Sequence, residues 1–112
     1  MKVIDAGVLV ELVANDLDPI RLGDEELAAP HLIDSEVTNA LRRLVARRAL
    51  TDEQGTAAME GFGQLVLTRF PAAPLRPRMW ELRHNLSSYD APYVALAEVT
   101  NAQRHIAKAA IA

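Results

Sequence analysis

The sequence predicts an α/β fold, with a parallel β-sheet flanked by helices in a single domain. Short apolar runs at 3–5, 27–30 and 66–70 alternate with longer segments whose apolar residues recur at helical spacing. Connections of that kind are crossovers, so neighbouring strands run parallel and helices cover the sheet. A chain of 112 residues has room for one core and not for two.

Val3 to Asp5 reads as a buried strand, followed by a helix over Val8, Leu9, Val10, Glu11, Leu12 and Val13. Asn15, Asp16, Asp18 and Pro19 break that helix, and residues 23–26 form a loop. Leu27, Ala28 and Ala29 make a short second strand that Pro30 ends. Asp34 or Ser35 caps the next helix, whose apolar positions Val37, Leu41, Leu44 and Val45 share one face. Thr51 and Gln54 have the spacing of a capping box opening another helix, which Gly55, Gly61 and Gly63 weaken. Residues 66–70 form a third strand, and Pro77 sits early in a helix running to about Leu86. Asp90 caps the last clear helix, where Pro92 is tolerated in the first turn. There is no internal repeat and no low-complexity stretch.

Composition narrows the function classes. Half of the residues are apolar, so the chain is globular and not disordered. No apolar run approaches the ~20 residues that cross a bilayer. The first residues are strand-like and lack the charged-then-apolar layout of a signal peptide. Without cysteine there are no disulfides and no thiolate metal sites, which suits a cytoplasmic protein. The net charge of −3 argues against indiscriminate binding to nucleic acid. Its distribution is uneven, however. Acids crowd into 16–26, while Arg42, Arg43, Arg47, Arg48, Arg69, Arg76, Arg78 and Arg83 fill the middle of the chain, where they could flank an acidic site and hold a phosphate backbone.

Three carboxylates stand at element boundaries inside apolar frames. Asp5 ends the first strand, Glu36 falls in the first turn of a helix, and Asp90 opens the last helix. Each has an ordinary explanation: Asp5 and Asp90 as helix caps, Glu36 as an acid favoured by the helix dipole. Together they point elsewhere. Carboxylates are costly to crowd unless a cation neutralises them, so the set indicates a divalent-metal site and phosphate chemistry. No Ser-His or Cys-His arrangement offers a covalent nucleophile. His84 and His105 lack the spacing of a metal pair and read as solvated surface.

In their order, these segments resemble the PIN-domain ribonucleases, and among them the VapC toxins of bacterial toxin–antitoxin pairs. The likeness rests on Asp5 after strand one, and on Glu36 leading into Asn39, Ala40, Leu41, Arg42 and Arg43. It continues through Trp80 to Leu86, then Tyr89, Asp90 and the helix from Tyr93 to Glu98. It implies metal-dependent endonucleolytic cleavage of RNA, with Asp5, Glu36 and Asp90 as catalytic metal ligands for Mg2+ or Mn2+. Asn39, Arg42 and Arg43 are the expected substrate-binding residues, Asn39 through Glu36 or a phosphate. The resemblance also implies an RNA substrate, a homodimer formed through an apolar helical surface, and a cognate VapB-like antitoxin whose tail covers the acidic groove.

The chain departs from the pattern twice. Gly7 stands where the family has Ser or Thr, removing a hydroxyl that would orient Asp5 or substrate. After Val99 the family has a last strand and a fourth acid, whereas residues 100–108 contain no strand-like run and no carboxylate. The expectation is therefore a PIN-like domain over 1–112 that lacks this strand and acid, with a segment missing between about Val99 and Arg104. A catalytically degenerate binding module is the alternative. A receiver or phosphatase on a similar framework fails, because no Asp-x-Asp follows strand one and no Lys follows a late strand.

Overall fold

The computed structural model describes residues 1–100 together with the backbone of residues 103–105. In order, the elements are β1 (Lys2–Ile4), α1 (Ala6–Ala14), β2 (Leu27–Pro30), α2 (Ile33–Ala46), α3 (Asp52–Gln64), β3 (Leu67–Phe70), α4 (Arg76–Glu81), α5 (Ala91–Thr100) and β4 (Gln103–His105). Single 3-10 turns occupy Pro19–Leu22 and Ala73–Leu75. The strands form one parallel sheet in the order β3-β2-β1-β4.

That order fixes where the helices lie. From β1 the chain steps to β2 and then β3 in one direction, so right-handed crossovers place α1, α2 and α3 on one face. The return past β1 to β4 places α5 on the other. Accordingly α1, α2 and α3 pack on one another, while α5 lies against β1, β2, β4 and α4. Val3, Ile4, Ala28, Ala29 and Pro30 are buried in the sheet. Val8, Leu9, Leu12, Ile33, Val37, Leu41 and Phe62 complete the core on the α1–α3 side, and Tyr93, Ala95 and Leu96 on the α5 side.

Four sequence expectations need adjustment. The stretch after Thr100 does hold a strand, since Gln103–His105 pairs with Lys2, Val3 and Ile4 of β1. Its residues carry little strand propensity, but the free edge of β1 presents unpaired backbone groups that a short extended segment satisfies. Helix α5 runs to Thr100. The break expected soon after falls on residues 101 and 102, which lie outside the described residues, as does everything from 106 onward.

Neither Asp34 nor Ser35 caps α2. The helix begins at Ile33 with Leu32 at the N-cap and no side-chain cap. Asp34 turns instead to Arg69 of β3, accepting hydrogen bonds of 2.6 Å from Nε and 2.7 Å from Nη2. Helix α4 stops at Glu81, short of Leu86, and turns follow. Arg83 Nη1 donates to the Trp80 carbonyl at 2.8 Å, satisfying a helix-end acceptor that another turn would have used. The first helix starts at Ala6, two residues earlier than its apolar pattern indicates.

The capping box of α3 is present as expected. Thr51 Oγ1 accepts from the Gln54 amide, and the Gln54 side chain accepts from the Thr51 amide. One glycine of that helix has a packing reason. A Cβ built on Gly55 would stand 2.6 Å from Cγ2 of Val45, so the bare backbone lets α3 approach α2 closely. Gly55→Ala should therefore lower stability by about 1–3 kcal/mol through overpacking, although alanine alone would favour the helix by ~1 kcal/mol. Adding Val45→Ala, which clears the clash, should recover much of the loss. Thermal melts of the single and double variants check this, and a neutral Gly55→Ala would contradict the close approach.

Candidate active site

Asp5 is the first residue beyond β1, which lies inside the sheet between β2 and β4. The chain leaves one side of β1 for β2 and arrives on the other side as β4. In open parallel sheets that reversal opens a crevice beyond the carboxyl ends of the strands. Asp5 occupies the N-cap position of α1 in extended conformation, φ −76° and ψ 152°, yet its side chain makes no capping bond. Capping does not explain its carboxylate.

Glu36 reaches the same place from α2. It is half-buried in the first turn, and its Oε1 accepts a 2.5 Å hydrogen bond from the hydroxyl of Tyr93 on α5. Tyr93 is only 2% exposed. Asp90 arrives on the turn before α5 and is itself exposed. Ser87 Oγ accepts from the Asp90 amide at 3.1 Å, and the Asp90 carbonyl accepts from the Tyr93 amide at 3.1 Å. One strand end and two helix starts therefore present the three acids.

Electrostatics places the three in one neighbourhood. The Glu36 carboxyl is pushed above the usual carboxylate range, first by burial. The Tyr93 hydrogen bond pulls it back, and the charges of Asp90 and then Asp5 push it up again. The Tyr93 hydroxyl is raised far above its ordinary range, by burial, by its bond to Glu36, and by the charges of Glu36, Asp5 and Asp90. Tyr93 is therefore a permanent donor.

The donor set is made of carboxylate oxygens, which suit a hard cation such as Mg2+ or Mn2+. Excess negative charge on a half-buried Glu36 is the condition that such a cation relieves. Among the described residues, however, no three acidic or histidine side chains are gathered as a ready-made cage. The residues fit an ion held by few direct ligands, with waters filling the shell as Mg2+ prefers.

A cleft of about 560 Å³ opens beside Glu36 between α1 and α2, with Gly7, Glu11, Asn39 and Arg43 on its walls. Asn39 does not bond Glu36. Its Oδ1 accepts from Arg42 Nε at 3.3 Å and Nη2 at 2.9 Å, which leaves the amide NH2 as its donating end. Arg42 itself lines the neighbouring groove between α2 and α3. Glu98 pairs with Arg78 at 2.7 Å on the surface, and Arg78 holds its carboxyl below the usual range. His84 is exposed, while the His105 side chain lies outside the description.

Sequence reasoning missed Tyr93 and Ser87 as supports of this site. Both sit within three residues of Asp90, but that spacing alone does not mark the bond from Tyr93 to Glu36.

No protein-family model matches the chain. Curated proteins do. Ribonuclease VapC9 of Mycobacterium tuberculosis is 44% identical over 102 residues, covering 90% of this chain and 80% of that protein. Ribonuclease VapC12 of the same organism is 36% identical over 102 residues, covering 88% and 79%. Ribonuclease VapC1 is 49% identical over a shorter stretch of 70 residues, 62% of this chain and 53% of that protein. The chain belongs to the VapC ribonuclease family, and its parallel sheet with flanking helices is the PIN-like fold.

The raised Glu36 carboxyl has a stability consequence whose sign is fixed. Ionised Glu36 costs stability once the pH is above its folded-state value, and the cost disappears as the pH falls toward the unfolded value of 4.5. In metal-free protein Glu36→Gln should raise the melting temperature at pH 7, with the gain shrinking toward pH 4. Tyr93→Phe should destabilise at pH 7 by about 1–3 kcal/mol, because a partly buried carboxylate loses its donor. That cost should be smaller in the Glu36→Gln background, as a double-mutant cycle would measure. Equal costs in both backgrounds would deny the coupling.

Proposed function

We propose that this chain is an endoribonuclease and the toxin of a toxin–antitoxin pair, cutting RNA at Asp5, Glu36 and Asp90 with Mg2+ or Mn2+ bound. The observation that carries the reading is the arrangement at the switch point of the sheet, where Asp5 ends β1 and Glu36 is bonded by Tyr93, three residues after Asp90. Kinship with proteins named ribonuclease supports it.

Asp5, Glu36 and Asp90 would hold the ion, in part through its waters. When bound, it lowers the pKa of a coordinated water and stabilises charge on the scissile phosphate. The chain's own contribution is positional. Tyr93 fixes one Glu36 oxygen, and the other would be available to the ion. Ser87 anchors the backbone that carries Asp90. Asn39, its amide oriented by Arg42, and Arg43 on the cleft wall supply donors for phosphate oxygens. No covalent enzyme intermediate is required.

An acidic site of this kind also attracts a basic peptide, which supports a VapB-like antitoxin whose tail covers it. Exposed apolar side chains on the packed helices α4 and α5, Trp80 and Val99, support a homodimer formed through a helical surface. No helix among the described residues is long and apolar enough to cross a membrane, and an RNA substrate favours the cytoplasm.

A degenerate binding module is the second reading. It is favoured by one observation, that residues 99–112 contain no Asp or Glu to serve as a fourth acid. Calorimetric titration with Mn2+ and cleavage of total RNA decide between them. Asp5→Asn and Glu36→Gln should each abolish metal-dependent cleavage and weaken Mn2+ binding, with far-UV circular dichroism unchanged. Wild-type protein that binds no Mn2+ and cuts no RNA would establish the binding module instead.

A further inference from the structure

We infer that the α1–α2 cleft is a track for a single RNA strand, along which Arg43 and Arg47 take successive phosphates on the way to the carboxylates. The inference rests on the nuclease reading of those carboxylates and adds a residue, a direction and a strandedness to it. Glu36, Ala40, Arg43 and Arg47 all line the cleft from α2, at the three- and four-residue spacing of one helix face. Arg43 and Arg47 are one turn apart, about 6 Å along the axis, which is the scale of phosphate spacing in an extended strand.

Their charge is also uncommitted. Arg69 is engaged by Asp34 and Arg78 by Glu98 and Glu81, while Arg42, bonded to the neutral Asn39, lines the separate α2–α3 groove. Among the described residues, Arg43 and Arg47 form no ion pair with any carboxylate, although both are exposed. The opposite wall has the other sign. Glu11 of α1 faces the cleft and repels phosphate toward α2, while Asn15, whose Nδ2 donates to the Glu11 carbonyl at 2.8 Å, adds no charge. At the carboxylate end the α1 wall is Ala6 and Gly7, so no large side chain bars the way. One basic wall, one acidic wall and a volume of about 560 Å³ accommodate a single backbone. A duplex presents a convex surface too broad for a cleft between two helices.

The test is binding without cleavage. A short fluorescein-labelled oligouridylate is titrated with protein in EDTA over a range of salt concentrations, and anisotropy is read. Arg43→Ala and Arg47→Ala should each weaken binding several-fold and reduce the slope of log K against log salt by about 0.7. Arg47→Lys should keep the slope. Arg48→Asn should leave binding unchanged, since Arg48 is exposed outside the cleft and asparagine tolerates its φ of 61°. A duplex of the same length should bind more weakly. The track is refuted if wild type does not bind the oligouridylate, if both alanine variants keep the wild-type slope, or if Arg48→Asn loses as much as they do. The two readings separate cleanly. Arginine-dependent binding without Mn2+-dependent cutting leaves the track and removes the nuclease. Cutting with unaffected alanine variants does the reverse.

Discussion

The interior position of β1 governs the arrangement of this molecule. Because β2 and β4 flank it and helices lie on both faces, Val3 and Ile4 are fully buried and a charge at either would be costly. Asp5 is the first position after that buried pair where a carboxylate is tolerated, and it emerges where the chain reverses its direction across the sheet. The other two acids are brought there from opposite faces. Glu36 comes from the layer of α1, α2 and α3, and Asp90 from the side of α5. Tyr93 joins the two layers at the point where they meet.

Two bidentate ion pairs fix how neighbouring elements sit in this arrangement. The bidentate contact of Asp34 with Arg69 ties the start of α2 to β3 two positions away from Glu36, and Arg69 also lies over the Phe62 ring at 5.8 Å from its centroid. Arg69 thereby bridges sheet, α2 and α3, and holds the Asp34 carboxyl below the usual range. The Arg78–Glu98 pair is likewise bidentate and about as exposed, and partly exposed contacts of this kind add only ~0–1 kcal/mol each. Its effect is to align α4 with α5, with little stabilisation.

Local signals were legible in the sequence and distant ones were not. Three strands and most helices followed from apolar runs and helical spacing, and the Thr51–Gln54 capping box spans only four residues. Asp34 misled because its partner lies 35 residues away, beyond any window in which cap preferences operate. Strand β4 was illegible because backbone pairing with β1, and no side-chain pattern, defines it. The three acids could be singled out by their placement at element boundaries and by family order. Tyr93 could not, since its bond to Glu36 spans 57 residues and the apolar helix around it reads as plain core.

The small residues of α5 extend the site's vulnerability far beyond its acids. Ala91, Ala95 and Ala97 are buried on different sides of α5, which packs against both the sheet and α4, so the helix has no slack. A larger residue at any of them would lift the helix and draw the Tyr93 hydroxyl off Glu36 before the domain unfolded. A genetic selection for inactive alleles would then return core alanines beside carboxylates, and a catalogue of such alleles would outline α5 as sharply as it outlines the chemistry.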